Sequence, residues 1–156
     1  MDITLLTVGK TDVKWVKEGL DLYVSRLKHY IPFRLVEIPQ LKNAASLTRD
    51  QIREREGELI LKALKPSDRV ILLDERGREF RSVEFAAWTG ALLQKGRDVV
   101  FVIGGAYGYS DAVYERKEGM VSLSRMTFSH QMVRTVFAEQ LYRAFTILKG
   151  EPYHHE

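Results

Sequence analysis

The chain holds 156 residues, 45% of them hydrophobic and 29% charged, with a net charge of +3 and no cysteine. That length suits one compact domain, burying roughly 70% of the surface its unfolded chain would expose. The lack of cysteine excludes disulfides, thiolate metal sites and a cysteine nucleophile, and fits a reducing, cytoplasmic home.

Ile3–Val8 is a largely apolar run closed by Gly9, and reads as a first strand rather than an export signal. Val16, Leu20, Tyr23 and Leu27 then recur at helical spacing. Phe33–Ile38 predicts a second strand, stopped by Pro39 and followed by a mostly polar connector. Thr48 with Gln51 three residues on predicts a capping box, opening a helix with Ile52, Leu59, Ile60 and Ala63. Val70–Leu73 is a continuous apolar strand, and Asp74-Glu75-Arg76-Gly77 reads as the turn that ends it. Ser82 opens a third helix carrying Phe85, Trp88 and Leu92. Val99–Ile103 is a fourth strand running into Gly104-Gly105, and Ser110-Asp111 starts a short helix. Met120–Leu123 predicts a fifth strand. A last helix carries Val133, Phe137, Leu141, Ala144 and Leu148. Strands alternating with helices predict a single α/β domain with a mainly parallel sheet flanked by helices. No apolar stretch approaches the roughly 20 residues of a membrane span.

The charge excess lies wholly in residues 1–78, with no basic tail, so composition permits an RNA partner without requiring one. Gly9-Lys10-Thr11 imitates the end of a P-loop, but Thr4 stands where that motif needs glycine, which excludes it. Asp74 and Glu75 read as a solvated turn, Arg76 neutralising one of them. Gly104-Gly105-Ala106-Tyr107-Gly108 has the wrong spacing for a dinucleotide fingerprint. An ordinary strand-to-helix turn and a ligand cradle account for it equally. Leu123–Gln131 places Met126 and Phe128 outside any helical stripe, as a core plug or a pocket wall.

On the last helix, Glu139 and Arg143 are spaced for an ion pair. Arg134, Ala138 and Tyr142 form a neighbouring row with room for a partner surface, its polar members read as solvated. The tail Glu151-Pro152-Tyr153-His154-His155-Glu156 is either disordered or a source of proton transfer and base stacking. Two adjacent histidines without further ligands predict no metal site.

Taken together, T-V-G-K at the start, L-L-D-E-R-G after the third strand, V-I-G-G at 102–105, L-S-R-M-T-F-S-H-Q at 123–131, E-Q-L-Y-R-A at 139–144 and the terminal P-Y-H resemble the ribosomal large subunit methyltransferase H family. That family is a small member of the SPOUT class, and the resemblance spans the whole chain. It implies an α/β fold with a C-terminal trefoil knot, a homodimer and S-adenosylmethionine as cofactor. It also implies methylation of N3 of a pseudouridine in helix 69 of 23S rRNA on the assembled ribosome, with no membrane or metal. On matching positions, Leu73, Gly104, Leu123, Ser124, Arg125, Met126, Thr127 and Phe128 are expected to line the cofactor. His154 and Tyr153 are expected to handle the proton, and Arg143 to contact phosphate or an anion. Ser129 departs from the family's frequent proline, and His155 from a commonly basic position. A non-catalytic RNA-binding protein on the same fold and a tRNA methyltransferase are the competing readings.

Overall fold

The computed structural model describes residues 1–155. Five strands, β1 (Ile3–Val8), β2 (Phe33–Ile38), β3 (Arg69–Glu79), β4 (Val99–Ile103) and β5 (Gly119–Ser122), form one sheet in the order β2-β1-β4-β3-β5. Every pairing is parallel. The helices are α1 (Lys14–Leu27), α2 (Arg49–Ala63), α3 (Ser82–Gln94), α4 (Asp111–Arg116) and α5 (Met132–Leu148). A sheet covered on both faces needs strands apolar at successive positions. All six β1 residues and all five β4 residues are buried.

The strand period of two divides the core cleanly. Ile3, Leu5, Ile71, Phe101 and Ile103 point to one face, where they meet Leu20 of α1, Phe85 of α3 and Phe137 and Leu141 of α5. Leu6, Val8, Val70, Leu72, Val100 and Val102 point to the other, against Ile60 of α2 and Val113 of α4. Local signals fix the helix starts. Thr48 Oγ1 accepts from the Gln51 amide at 3.1 Å while the Gln51 side chain accepts from the Thr48 amide at 2.9 Å. Ser110 caps α4 through the Val113 amide at 3.3 Å.

Three expectations need correction. Asp74–Gly77 is not a strand end. Leu73 and Arg78 both register on Val121, so residues 74–77 bulge outward and β3 resumes beside the same partner. Pairing with this longer β3 also shifts β5 one residue earlier than expected. Arg134 and Ala138 do not form a partner surface, because both are completely buried in the core face of α5. Leu148, placed in the apolar stripe by spacing, is 45% exposed, lying at the last turn of α5 over Gly90 of α3.

Candidate cofactor cavity and C-terminal polar cluster

A cavity of about 660 Å³ opens beyond the carboxyl ends of β4 and β5 and beside the bulged Leu73–Arg76 stretch of β3, at the edge where open parallel sheets hold their ligands. Leu73, Ile103, Leu123 and Phe128 give it apolar walls, and Asp74, Glu75 and the 104–108 glycine loop complete its rim. The loop turns on Gly108, whose φ is 83° and whose amide donates to the Gly105 carbonyl at 3.2 Å. Behind it, the buried Tyr109 hydroxyl accepts from the Gly104 amide at 3.1 Å. It also lies 2.8 Å from the Leu73 and Val102 carbonyls, to one of which its single proton is donated. One side chain thus stitches β3, just before its bulge, to the end of β4 beneath the cavity. A Cβ at Gly104 would lie 2.8 Å from the Tyr109 ring, and one at Gly105 would lie 2.7 Å from the Glu56 carboxylate. Gly104 is therefore required by the buried ring behind it, whatever the cavity holds, whereas the Glu56 carboxylate at Gly105 is the end of a flexible side chain.

The rim is electrostatically organised. Asp74 accepts hydrogen bonds from Tyr114 and from the Arg76 amide and side chain. Burial works to raise the Asp74 pKa, but these bonds outweigh it and hold the carboxyl below its ordinary value. The Tyr114 phenol is pushed up to about 12, by burial first and then by its bond to Asp74. The solvated turn expected at Asp74 is accordingly a half-buried, fixed anion.

The 123–131 loop forms the opposite wall and is pinned along its length. Ser122 Oγ donates to the Ser124 carbonyl at 2.9 Å, Ser124 Oγ accepts from the Met126 amide at 3.0 Å, and Thr127 donates to Glu75 at 2.9 Å. The Ser129 hydroxyl accepts from the Met132 amide at 3.0 Å. Gln131 reaches across to the first loop, donating to the Lys10 carbonyl at 2.9 Å and accepting from the Asp12 amide at 3.0 Å. One turn on, Arg134 donates to the carbonyls of Val8, Gly9 and His130 at 2.8–2.9 Å and to Thr11 Oγ1 at 2.8 Å. Its guanidinium lies 3.6 Å from Glu37. His130 lines the cavity, its pKa lowered by burial and then by Arg134.

Seven of the eight expected cofactor residues, Leu73, Gly104, Leu123, Ser124, Met126, Thr127 and Phe128, line this one cavity. Arg125 does not. Its side chain is 86% exposed and ion-paired with Glu79 at 3.5 Å, at a bend in the loop.

The expected catalytic residues gather elsewhere. Glu139 binds Arg143 at 2.8 Å and accepts from the Tyr153 hydroxyl at 2.8 Å, while Arg143 Nη1 lies 3.0 Å from His154 Nδ1. Tyr153 packs edge-on against Tyr142 with centroids 4.8 Å apart, so the tail is folded back on α5. Burial, then bonding to Tyr23 and Glu139, raises the Tyr153 phenol far above its ordinary value. None of Arg143, Tyr153 or His154 lines the cavity of its own chain. A smaller hollow of about 240 Å³, bounded by Gln140, shares Val121 and Leu123 with that cavity.

Tyr109, Gln131 and Glu56 were not singled out by sequence reasoning, and Arg134 was read there only as a solvated member of a helical row. The one available signal was Arg134's spacing of three and seven from Phe137 and Leu141, which places it on the apolar stripe.

An all-parallel α/β sheet with a glycine-loop cavity at its carboxyl edge defines a ligand-binding α/β protein. Residues 1–154 match a family model described as "Predicted SPOUT methyltransferase". The chain belongs to the SPOUT methyltransferase family. Among its relatives are proteins named ribosomal RNA large subunit methyltransferase H. Those of Parabacteroides distasonis, Phocaeicola vulgatus and Flavobacterium johnsoniae are 51%, 53% and 52% identical to it, each over 100% of both chains.

Proposed function

We propose that this chain is a cytoplasmic, S-adenosylmethionine-dependent methyltransferase acting on large-subunit rRNA. Its target is N3 of a pseudouridine in helix 69 of 23S rRNA on the assembled ribosome, and it works as a homodimer of single-domain, knotted protomers. The observation that carries this reading is the convergence of Leu73, Gly104 and five residues of the 123–128 loop on one cavity. Its volume falls within the usual 300–1,000 Å³ of small-molecule sites. The donor set fits the cofactor: Leu73, Leu123 and Phe128 suit the faces of an adenine, and the fixed Asp74 anion suits a cation. Bound there, S-adenosylmethionine would supply a methyl group on an electrophilic sulfonium.

The chain's own residues then have to position the base and manage the proton that N3 loses. Arg143 can only donate, so His154 Nδ1 accepts from it, and the neutral ring carries its hydrogen on Nε2. The cluster therefore offers donors, a guanidinium and an Nε2–H, suited to stabilising a base whose N3 has released its proton to water and become anionic. Tyr153, held protonated, orients Glu139 and Arg143 rather than accepting the proton. Because this cluster lies off its own chain's cavity, a second protomer supplies it.

Labelled methyl transfer tests the reading, with assembled ribosomes, isolated large subunits and tRNA in parallel. Incorporation on ribosomes, mapped to N3 of a helix 69 pseudouridine, is expected. Incorporation on tRNA alone overturns the substrate. Absence of S-adenosylmethionine binding by calorimetry leaves a non-catalytic RNA-binding protein.

A further inference from the structure

Tyr107 stands in the middle of the glycine loop at the mouth of the cavity, and 42% of it is exposed. Exposed aromatics in loops are normally free to swing, but this one is braced. Arg53 donates to its carbonyl at 3.3 Å, and the Arg49 guanidinium lies 5.2 Å from its ring centroid. Both arginines come from the first turns of α2, whose start the Thr48–Gln51 capping box fixes. Arg53 is neutralised by Asp50, whereas Arg49 forms no ion pair among the described residues. Asp111 and Asp74 also face the mouth, the latter committed to Arg76 and Tyr114. A preorganised ring beside an unneutralised guanidinium is the combination that stacks a nucleobase and contacts its phosphate.

We infer that Tyr107 and Arg49 form a shelf that stacks the nucleotide flanking the target base. This rests on the proposed RNA substrate. N3 lies on the pairing edge of a base, so the target has to leave its stack to enter the cavity, and a neighbouring nucleotide is left at the rim. The shelf is what receives it.

The test is direct binding of purified bacterial ribosomes and large subunits to the full-length protein, alongside calorimetry with S-adenosylmethionine, thermal unfolding and solution mass. Tyr107→Ala is expected to weaken ribosome binding roughly tenfold, within the range for one lost base–aromatic stack. Tyr107→Trp, which keeps a π face, restores it. Arg49→Ala is expected to reduce the salt slope of binding by about one. Melting temperature and mass stay unchanged, and cofactor affinity falls by much less than ribosome binding. Equal ribosome binding by Tyr107→Ala overturns the shelf. A parallel loss of cofactor affinity assigns Tyr107 to the cofactor cavity instead, and a change in mass assigns it to a protomer contact. Ribosome binding that depends on Tyr107 without any methyl transfer by the unaltered protein keeps the shelf and removes the enzyme reading.

Discussion

At the residue scale, two buried polar groups behind the glycine loop make opposite contributions. Tyr109 is fully used, its hydroxyl accepting from Gly104 and donating to a strand-end carbonyl. Tyr109→Phe keeps the ring but strands those backbone groups, and is expected to cost about 1–3 kcal/mol in chemical denaturation. S-adenosylmethionine affinity should fall several-fold with it; unaltered affinity would reduce Tyr109 to a space-filler. Glu56 is under-used: its Oε1 is buried against Gly105 with no hydrogen-bond partner, and burial raises its pKa. The folded protein therefore holds this proton more tightly than the unfolded chain does. Between the ordinary glutamate value and the raised one, stability falls as pH rises. Glu56→Gln should accordingly be more stable than the parent at neutral pH, by about 1 kcal/mol. That advantage should vanish in acid, below the ordinary glutamate value, where the parent side chain is neutral in both states. Paired denaturation curves at the two pH values check this, and a gap independent of pH refutes it.

At the scale of elements, the decisive feature is the bulge in β3. A Cβ on Gly77 would lie 2.7 Å from the Met120 carbonyl carbon and the Val121 nitrogen, so backbone itself would have to move. Gly77→Ala is expected to destabilise by about 1–3 kcal/mol, as overpacking does, and to weaken cofactor binding because the 123–128 loop follows directly from β5. Unfolding curves and calorimetry read both effects; unchanged stability would mean that β5 yields freely. This bulge was hidden in the sequence because Asp74-Glu75-Arg76-Gly77 has the composition of a turn. Only tertiary pairing of Leu73 and Arg78 with the same Val121 shows that the strand continues. β1, β2 and β4 were legible to the residue, since β1 and β4 are short, largely apolar runs bounded by charge and glycine and β2 is a short run bounded by Pro32 and Pro39. The capping box of α2 was legible for the same local reason. Arg134 was not, because nothing in its neighbourhood announces that Val8, Gly9, Thr11 and Glu37 will converge on it. The cavity's lining was legible largely through resemblance, and Arg125 shows the limit: a contiguous motif lists residues, while the bend at Arg125 turns that one side chain out toward Glu79.

At the scale of the molecule, each chain carries a cavity and a Tyr153–His154–Arg143 cluster that do not meet within it. His154→Ala should lower turnover while sparing cofactor affinity. If the proposed homodimer forms, co-refolding His154→Ala with a variant whose cavity is blocked should recover roughly a quarter of parental turnover, since half the dimers would be mixed, each with one complete site. No recovery would place the tail's action within its own chain. The chain order has a consequence for how this molecule comes into being. One face of the sheet is closed by α1, α3 and α5, and α5 follows all five strands. Until Phe137, Leu141 and Phe145 are synthesised, Ile3, Leu5, Phe101 and Ile103 have an incomplete cover, and the nascent sheet is an adhesive surface. β1 must also wait for β4, some ninety residues later, before its second edge is paired. Such long-range closures fold slowly. Closure of this sheet thus waits on α5, and its dependence on chaperones should be set by that helix rather than by the first strand.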